Sequence, residues 1–173
     1  DADLIRSRRF KVAIDCVNGS ASQMTPTLLE RLGCEVVALH AEFDRPFPHP
    51  PEPRPQHLGD LIRAVAESGA DIGFAQDPDA DRLAVIAEKG RPLSEEYTLV
   101  LAAEHILSKK PGRAVVGNRS GSRMLEDTAA RHSSPCHRTE IGEINVSVKL
   151  REVGGAIGGE GNGGVMLPEV HEC

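Results

Sequence analysis

Residues 75–82 read A-Q-D-P-D-A-D-R, setting Asp77, Asp79 and Asp81 at alternate positions directly after an apolar run and following them with Arg82. Three short carboxylates crowded this closely repel one another, so a loop that gathers them is suited to a divalent cation. An all-oxygen donor set favours a hard ion such as Mg²⁺ or Ca²⁺. With Asp77 as position 1, Asp79, Asp81 and Glu88 fall at EF-hand positions, but Arg82 stands where the sharp turn wants glycine, Pro78 stiffens the loop, and both flanks read as strands. A solvated acidic turn is the plain alternative. The order Asp-x-Asp-x-Asp-Arg at the carboxyl edge of a strand favours a cation held beside a guanidinium, an arrangement that suits a phosphate-bearing reactant.

A second constellation is G-G-E-G-N-G-G at residues 158–164. Gly159, Gly161 and Gly164 satisfy G-x-G-x-x-G, yet a dinucleotide loop opens a helix and has an acidic residue about 20 positions on. Here a strand-like Val-Met-Leu-Pro follows. The remaining readings are a flexible turn, or a loop whose glycines let backbone approach a polar ligand while Glu160 and Asn162 supply an acceptor and an amide. Sugar hydroxyls match that pair. Glu160 also becomes a proton-exchange candidate if closure raises its pKa.

These loops need a scaffold, and the hydrophobic pattern supplies one. Strands are expected at residues 11–15, 34–39, 71–75, 83–87, 113–117, 136–139 and 165–167. Helices are expected after the Asn18-Gly19-Ser20 turn, on the face marked by Leu58, Leu61, Ile62 and Val65, at 95–109, from near Ser122, and at 142–153. A proline-rich loop spans residues 46–55. Alternating strands and helices imply βαβ units, an α/β fold of mostly parallel mixed sheets with functional loops at the carboxyl ends of the strands. Pro111-Gly112 marks the expected boundary between a domain at 1–110 and a shorter, truncated one at 111–173.

The chain has 173 residues, 39% hydrophobic and 27% charged, an ordinary globular balance. A formal charge of −6 with no basic stripe argues against nucleic acid or an anionic membrane as partner. No apolar run is long enough to span a bilayer, and a cytoplasmic location is the default expectation. Cys16, Cys34, Cys136 and Cys173 form no C-x-x-C pair and read as buried or surface thiols. His40, His57, His105, His132 and His137 read as surface or capping residues. His49 reads as part of a stiff, exposed connector, and His171 as slightly more interesting. Ser120 and Ser122 read as helix caps, and Arg6, Arg8, Arg9 and Lys11 as a solvated approach to the first strand.

The segments K-V-A-I-D-C-V-N-G (11–19), Q-D-P-D-A-D-R (76–82), T-E-I-G (139–142) and G-E-G-N-G-G (159–164) occur in the order and approximate spacing of the α-D-phosphohexomutases, and the chain resembles that family from about Phe10 onward. The family contains phosphoglucomutase, phosphomannomutase and phosphoglucosamine mutase: four-domain isomerases that interconvert hexose 1- and 6-phosphates through a phosphoserine and a bisphosphorylated sugar. The resemblance implies that Asp77, Asp79 and Asp81 hold Mg²⁺, that Arg82 positions the phosphoryl group, and that Glu160 and Asn162, with Thr139 and Gly142, contact the hexose phosphate. Phosphoryl transfer asks a protein mainly for positioning and charge neutralisation, which agrees with those roles.

The resemblance has departures. Asn162 stands where members usually carry Ser, and Gly164 where many carry His, so the proton-transfer role sometimes assigned to that His has no candidate. The form G-E-G-N-G-G is most like the archaeal-type branch of phosphoglucosamine and phosphohexose mutases. No Thr/Ser-x-Ser-His-Asn-Pro-type loop occurs, so the phosphoserine has no candidate among these residues. The expectation is therefore domain II and part of domain III. Domains I and IV of the same enzyme, or a second chain, are the implied partners, and the isolated chain is expected to be inactive. A non-catalytic module for Mg²⁺ and sugar phosphate is the other reading, and the particular hexose and the oligomeric state stay open.

Overall fold

The computed structural model describes residues 1–170; His171, Glu172 and Cys173, and the readings placed on them, lie outside the described residues. The chain divides into two compact units, Asp1–Glu95 and Glu96–Cys173.

The first unit runs α1 (Ala2–Arg8), β1 (Lys11–Asp15), α2 (Met24–Arg31), β2 (Glu35–Leu39), α3 (Gly59–Ser68), β3 (Ile72–Gln76), β4 (Leu83–Ala87) and β5 (Arg91–Pro92). Its sheet has the order β2-β1-β3-β4-β5, with β1 parallel to β2 and β3, and β4 antiparallel to β3 and β5. Val12, Ala13 and Ile14 are buried in succession, as a central parallel strand covered on both faces requires. Leu58, Leu61 and Val65 at helical spacing pack on Ala13, Ala75, Ala84 and Ile86. The helix α1 was not anticipated; Arg6 and Arg8 of the basic cluster lie on it, Arg9 follows as its C-cap and Lys11 opens β1, with Arg6 paired to Asp3 and its Nε donating to the Arg31 carbonyl.

The second unit contains α4 (Glu96–Lys109), β6 (Val115–Asn118), α5 (Met124–Arg131), β7 (Cys136–Thr139), α6 (Glu143–Val153), β8 (Ile157–Gly159) and β9 (Val165–Met166). The sheet order is β7-β6-β8-β9, with β6 parallel to β7 and β8 and β9 antiparallel to β8. The expected boundary near Pro111 is corrected by this arrangement. Helix α4 belongs to the second unit because Leu99, Ala103 and Leu107 bury themselves among Val115, Leu125, Ala129 and Ile157. Pro111-Gly112 is a turn inside that unit.

The two units share one plan: two parallel neighbours around a central first strand, then an antiparallel fourth strand. In each, the connection after the central strand runs to one side of the sheet and the connection after the neighbour so reached runs back to the opposite side, so a topological switch point lies between β1 and β3, and between β6 and β8. Ligand-binding crevices form outside the carboxyl ends of strands at such points. The acidic loop joins β3 to β4, and the glycine-rich loop joins β8 to β9. They occupy the same place in the repeated plan. Among the described residues no helix is long and apolar enough to cross a membrane.

Candidate active-site loops

Strand β3 ends at Gln76, and the chain turns through Asp77 with Ala80 N–H donating to the Asp77 carbonyl at 3.1 Å and Ala80 at φ 65°. The turn brings carboxylate oxygens of Asp77, Asp79 and Asp81 within 4.8 Å of one another, with Asp77 buried and the other two exposed. Arg82 clamps Asp77: its backbone N–H donates to Oδ1 at 3.1 Å and its Nε to Oδ2 at 2.7 Å. The same Nε lies 3.6 Å from Asp81 Oδ1.

Electrostatics separate the carboxylates. Burial pushes Asp77 up, but the hydrogen bonds and charge of Arg82 outweigh it and hold the group below its ordinary value. Asp81 is raised to about 6, first by burial and then by its contact with Asp77 and the charges of Asp77 and Asp79, against which Arg82 acts weakly. An ionised carboxylate offers about four lone-pair sites, so the two that Arg82 occupies on Asp77 leave others for a cation. The donor set is all oxygen, its atoms are within reach of one ion, and one arginine does not neutralise three carboxylates. The residues fit a hard divalent cation.

The glycine-rich loop is organised around Glu160. Its Oε1 accepts from Asn118 Nδ2 at 2.6 Å and from Gly142 N–H at 2.9 Å, while Oε2 accepts from Asn162 Nδ2 at 3.2 Å. Asn162 Oδ1 in turn accepts from Gly164 N–H at 3.1 Å. Glycine is required for the close approach at the loop base: a Cβ on Gly159 would lie 2.2 Å from the Gly164 carbonyl oxygen. Glu160, Asn162 and Gly142 are thus brought together, with the Gly142 amide facing Glu160. Thr139 directs its hydroxyl to the Glu140 carbonyl at 2.9 Å.

Asn118 was missed by sequence reasoning. It ends β6, is 2% exposed, and anchors both Glu160 and Ser120, whose N–H and hydroxyl donate to Asn118 Oδ1 at 3.1 and 2.7 Å. The available signal was a polar side chain at the end of the apolar strand Val-Val-Gly-Asn. Ser120 is therefore tied to Asn118 and does not cap α5; Ser122 does accept from the Met124 N–H at 3.3 Å. Arg138, also unremarked in the sequence, donates to the carbonyls of Asn118 and Ser122 and pairs with Glu126, fixing the turn after β6.

His40 and His49 depart from expectation too. Both ring systems meet the carboxylate of Asp15 at the end of β1, so His49 is 14% exposed and no free connector residue. The adjoining Cys16 is buried, its thiol pushed up to about 11 by burial and then by the Asp15 charge, which disfavours the nucleophilic thiolate.

Comparison with known proteins follows the same division. Residues 1–90 match the family model for phosphoglucomutase/phosphomannomutase, alpha/beta/alpha domain II, and residues 94–173 match that for domain III. A phosphoglucomutase/phosphomannomutase from Thermococcus kodakarensis is 40% identical over 170 residues, covering 98% of this chain and 37% of that protein. A Methanopyrus kandleri protein named "Probable phosphoglucosamine mutase" is 38% identical over 166 residues, covering 95% of this chain and 36% of its own length. The crystal structure of a phosphoglucomutase/phosphomannomutase family protein from Burkholderia thailandensis superimposes with a TM-score of 0.82 at 30% identity, covering 97% of this chain and 39% of that one. The chain spans little more than a third of the length of the curated relatives it matches. With both units matched in order and the break near residue 95 reproduced, the chain belongs to the phosphoglucomutase/phosphomannomutase family and carries its domains II and III.

Proposed function

We propose that these residues are the metal- and sugar-binding portion of a phosphohexomutase, which interconverts hexose 1-phosphate and hexose 6-phosphate through a phosphoserine and a bisphosphorylated intermediate. The observation that carries this reading is the acidic loop: three aspartates with oxygens within 4.8 Å at a topological switch point, one of them clamped by Arg82.

Asp77, Asp79 and Asp81 are the residues that hold Mg²⁺. When bound, the ion supplies charge neutralisation to the oxygens of a phosphoryl group. Arg82 orients Asp77 and balances part of the carboxylate charge, and in the assembled enzyme its guanidinium borders the phosphoryl group. Glu160 is held in place by the Asn118 amide and the Gly142 N–H, both donating to Oε1, which leaves Oε2 lone pairs at the loop's edge. A sugar hydroxyl that donates to its remaining lone pairs is thereby oriented. Asn162 contributes an amide at the same edge, and Thr139 a hydroxyl at the end of β7. The serine nucleophile and further phosphate contacts come from other domains or a second chain.

The test is an assay of the isolated chain with glucose, mannose and glucosamine 1-phosphates, Mg²⁺ and a bisphosphate activator. No turnover is expected; robust turnover abolished by Asp79→Ala would overturn the division of labour. Calorimetry should show weak Mg²⁺ binding, and the same titration in the chain with all three aspartates changed to asparagine would refute the site if it were unaltered.

A further inference from the structure

The carboxyl edge of the first sheet carries a second cluster of donor atoms, distinct from the acidic loop. Asp15, 1% exposed at the end of β1, receives the Val17 N–H on Oδ1 at 2.9 Å. Its Oδ2 faces two rings at once: His40 Nδ1 at 3.0 Å and His49 Nε2 at 3.1 Å. His40 follows β2, and His49 comes from the proline-rich loop, so three separate segments converge on one carboxylate oxygen.

The chemistry of His49 is constrained. Its Nδ1 lies 2.8 Å from the Pro50 carbonyl oxygen, which can only accept, so Nδ1 carries the proton. In the neutral ring Nε2 is then a lone pair aimed at a carboxylate oxygen, and the contact becomes favourable when either a proton or a metal ion stands between them. His40 shows the same polarity: Nδ1 faces Asp15, while Nε2 lies 3.5 Å from Asp60 Oδ2. Both rings thus present one nitrogen to the centre and hold the other against an outer oxygen acceptor. An outer oxygen acceptor against the ring nitrogen that faces away from the ion is the arrangement that orients metal-ligating histidines; His49 has it as a hydrogen bond and His40 as a 3.5 Å ion-pair contact.

We propose that Asp15, His40 and His49 form a binding site for a Zn²⁺-type transition-metal ion. The three donor atoms lie within 4.8 Å of one another. Two of the separations, 3.0 and 3.1 Å, are close to the roughly 3.3 Å that bonds of about 2.0–2.1 Å produce around a tetrahedral ion. Two imidazoles and one carboxylate select a borderline ion over Mg²⁺ or Ca²⁺, which the all-oxygen acidic loop prefers. The ion staples the proline-rich loop to the ends of β1 and β2, beside the Asn18 side chain that already donates to the Pro46 carbonyl at 2.8 Å. This site does not depend on the mutase reading.

The experiment uses the chain of residues 1–173, stripped with a chelator and titrated with Zn²⁺ in excess Mg²⁺, with Co²⁺ as an absorbing probe of nitrogen ligation. We expect one equivalent of Zn²⁺, a rise in melting temperature, and visible Co²⁺ bands. His49→Ala and His40→Ala should each weaken uptake by more than tenfold, and Asp60→Asn by less, through loss of the outer carboxylate that faces His40 Nε2 at 3.5 Å. The chain with Asp77, Asp79 and Asp81 all changed to asparagine should still bind Zn²⁺. No uptake by the unsubstituted chain overturns the site, whatever the variants do. So does uptake that survives in folded His49→Ala or disappears with the aspartates of the acidic loop.

Discussion

Asn118 donates through Nδ2 to Glu160 Oε1 across 2.6 Å, joining the carboxyl end of β6 to the first residue of the glycine-rich loop. Asn118 is almost wholly buried, and Glu160 is partly so. A loop of glycines has little conformational preference of its own, so its shape must be imposed from outside. This bond and the Gly142 amide impose it.

Replacing Asn118 with alanine removes a donor to a charged group and should cost about 1–3 kcal/mol. Urea denaturation should show a lower midpoint with an unchanged slope. Asn118→Asp should cost more, because two carboxylates then face each other. A wild-type midpoint for Asn118→Ala would show that the contact is not formed in solution.

The position of α4 fixes how the chain can be divided. Leu99, Ala103 and Leu107 cover Val115, Leu125 and Ile157, so a fragment starting at residue 111 loses one wall of its core. Residues 96–173 should melt cooperatively, and residues 111–173 should not. Leu107→Ala in the longer piece should cost about 2–5 kcal/mol, the range for a fully buried leucine. Equal melting of the two fragments would restore the boundary to Pro111.

The sequence made most of this scaffold legible because its strands are short apolar runs between strong punctuation. Residues 11–15, 83–87 and 136–139 coincide with β1, β4 and β7. Strand β8 was illegible for a physical reason. Gly158 and Gly159 have low intrinsic β preference, yet a Cβ on Gly158 would sit 2.8 Å from the Val116 carbonyl oxygen, so packing against β6 demands the residue that propensity argues against. The acidic loop was readable because its ligands are contiguous in sequence. Asn118, Arg138 and the Asp15–His40–His49 cluster were not, since each joins segments whose proximity only the sheet order creates.

The Glu126–Arg138 pair supplies a pH dependence. Hydrogen bonds from Arg138 hold the Glu126 carboxyl below its ordinary value, against a smaller opposing effect of burial. A depressed carboxylate contributes stability above its unfolded value, near 4.3, and loses it as pH falls through the folded one. Glu126→Gln should therefore destabilise at pH 7 by about 0.5–1 kcal/mol, a modest figure because solvent reaches the pair. The difference from the unsubstituted chain should vanish toward pH 3. Melting curves across that range would contradict the assignment if the gap were constant.

Arg82 and the cation should be partly interchangeable. Asp77 has no exposed side-chain surface, whereas Arg82 is 31% exposed, so removing the arginine strands a buried charge that water reaches only from one side. Arg82→Ala should cost about 1–3 kcal/mol without Mg²⁺, below the full penalty for breaking a buried pair. Mg²⁺ binds only the folded loop and adds about 2.7 kcal/mol when present at a hundred times its dissociation constant. Because the substituted loop has lost a competing positive charge, its Mg²⁺ affinity should rise, and Mg²⁺ should raise the melting temperature of Arg82→Ala more than that of the unsubstituted chain. A smaller shift in the variant would mean that Arg82 holds the aspartates in place for the ion, and that preorganisation outweighs the charge it contributes.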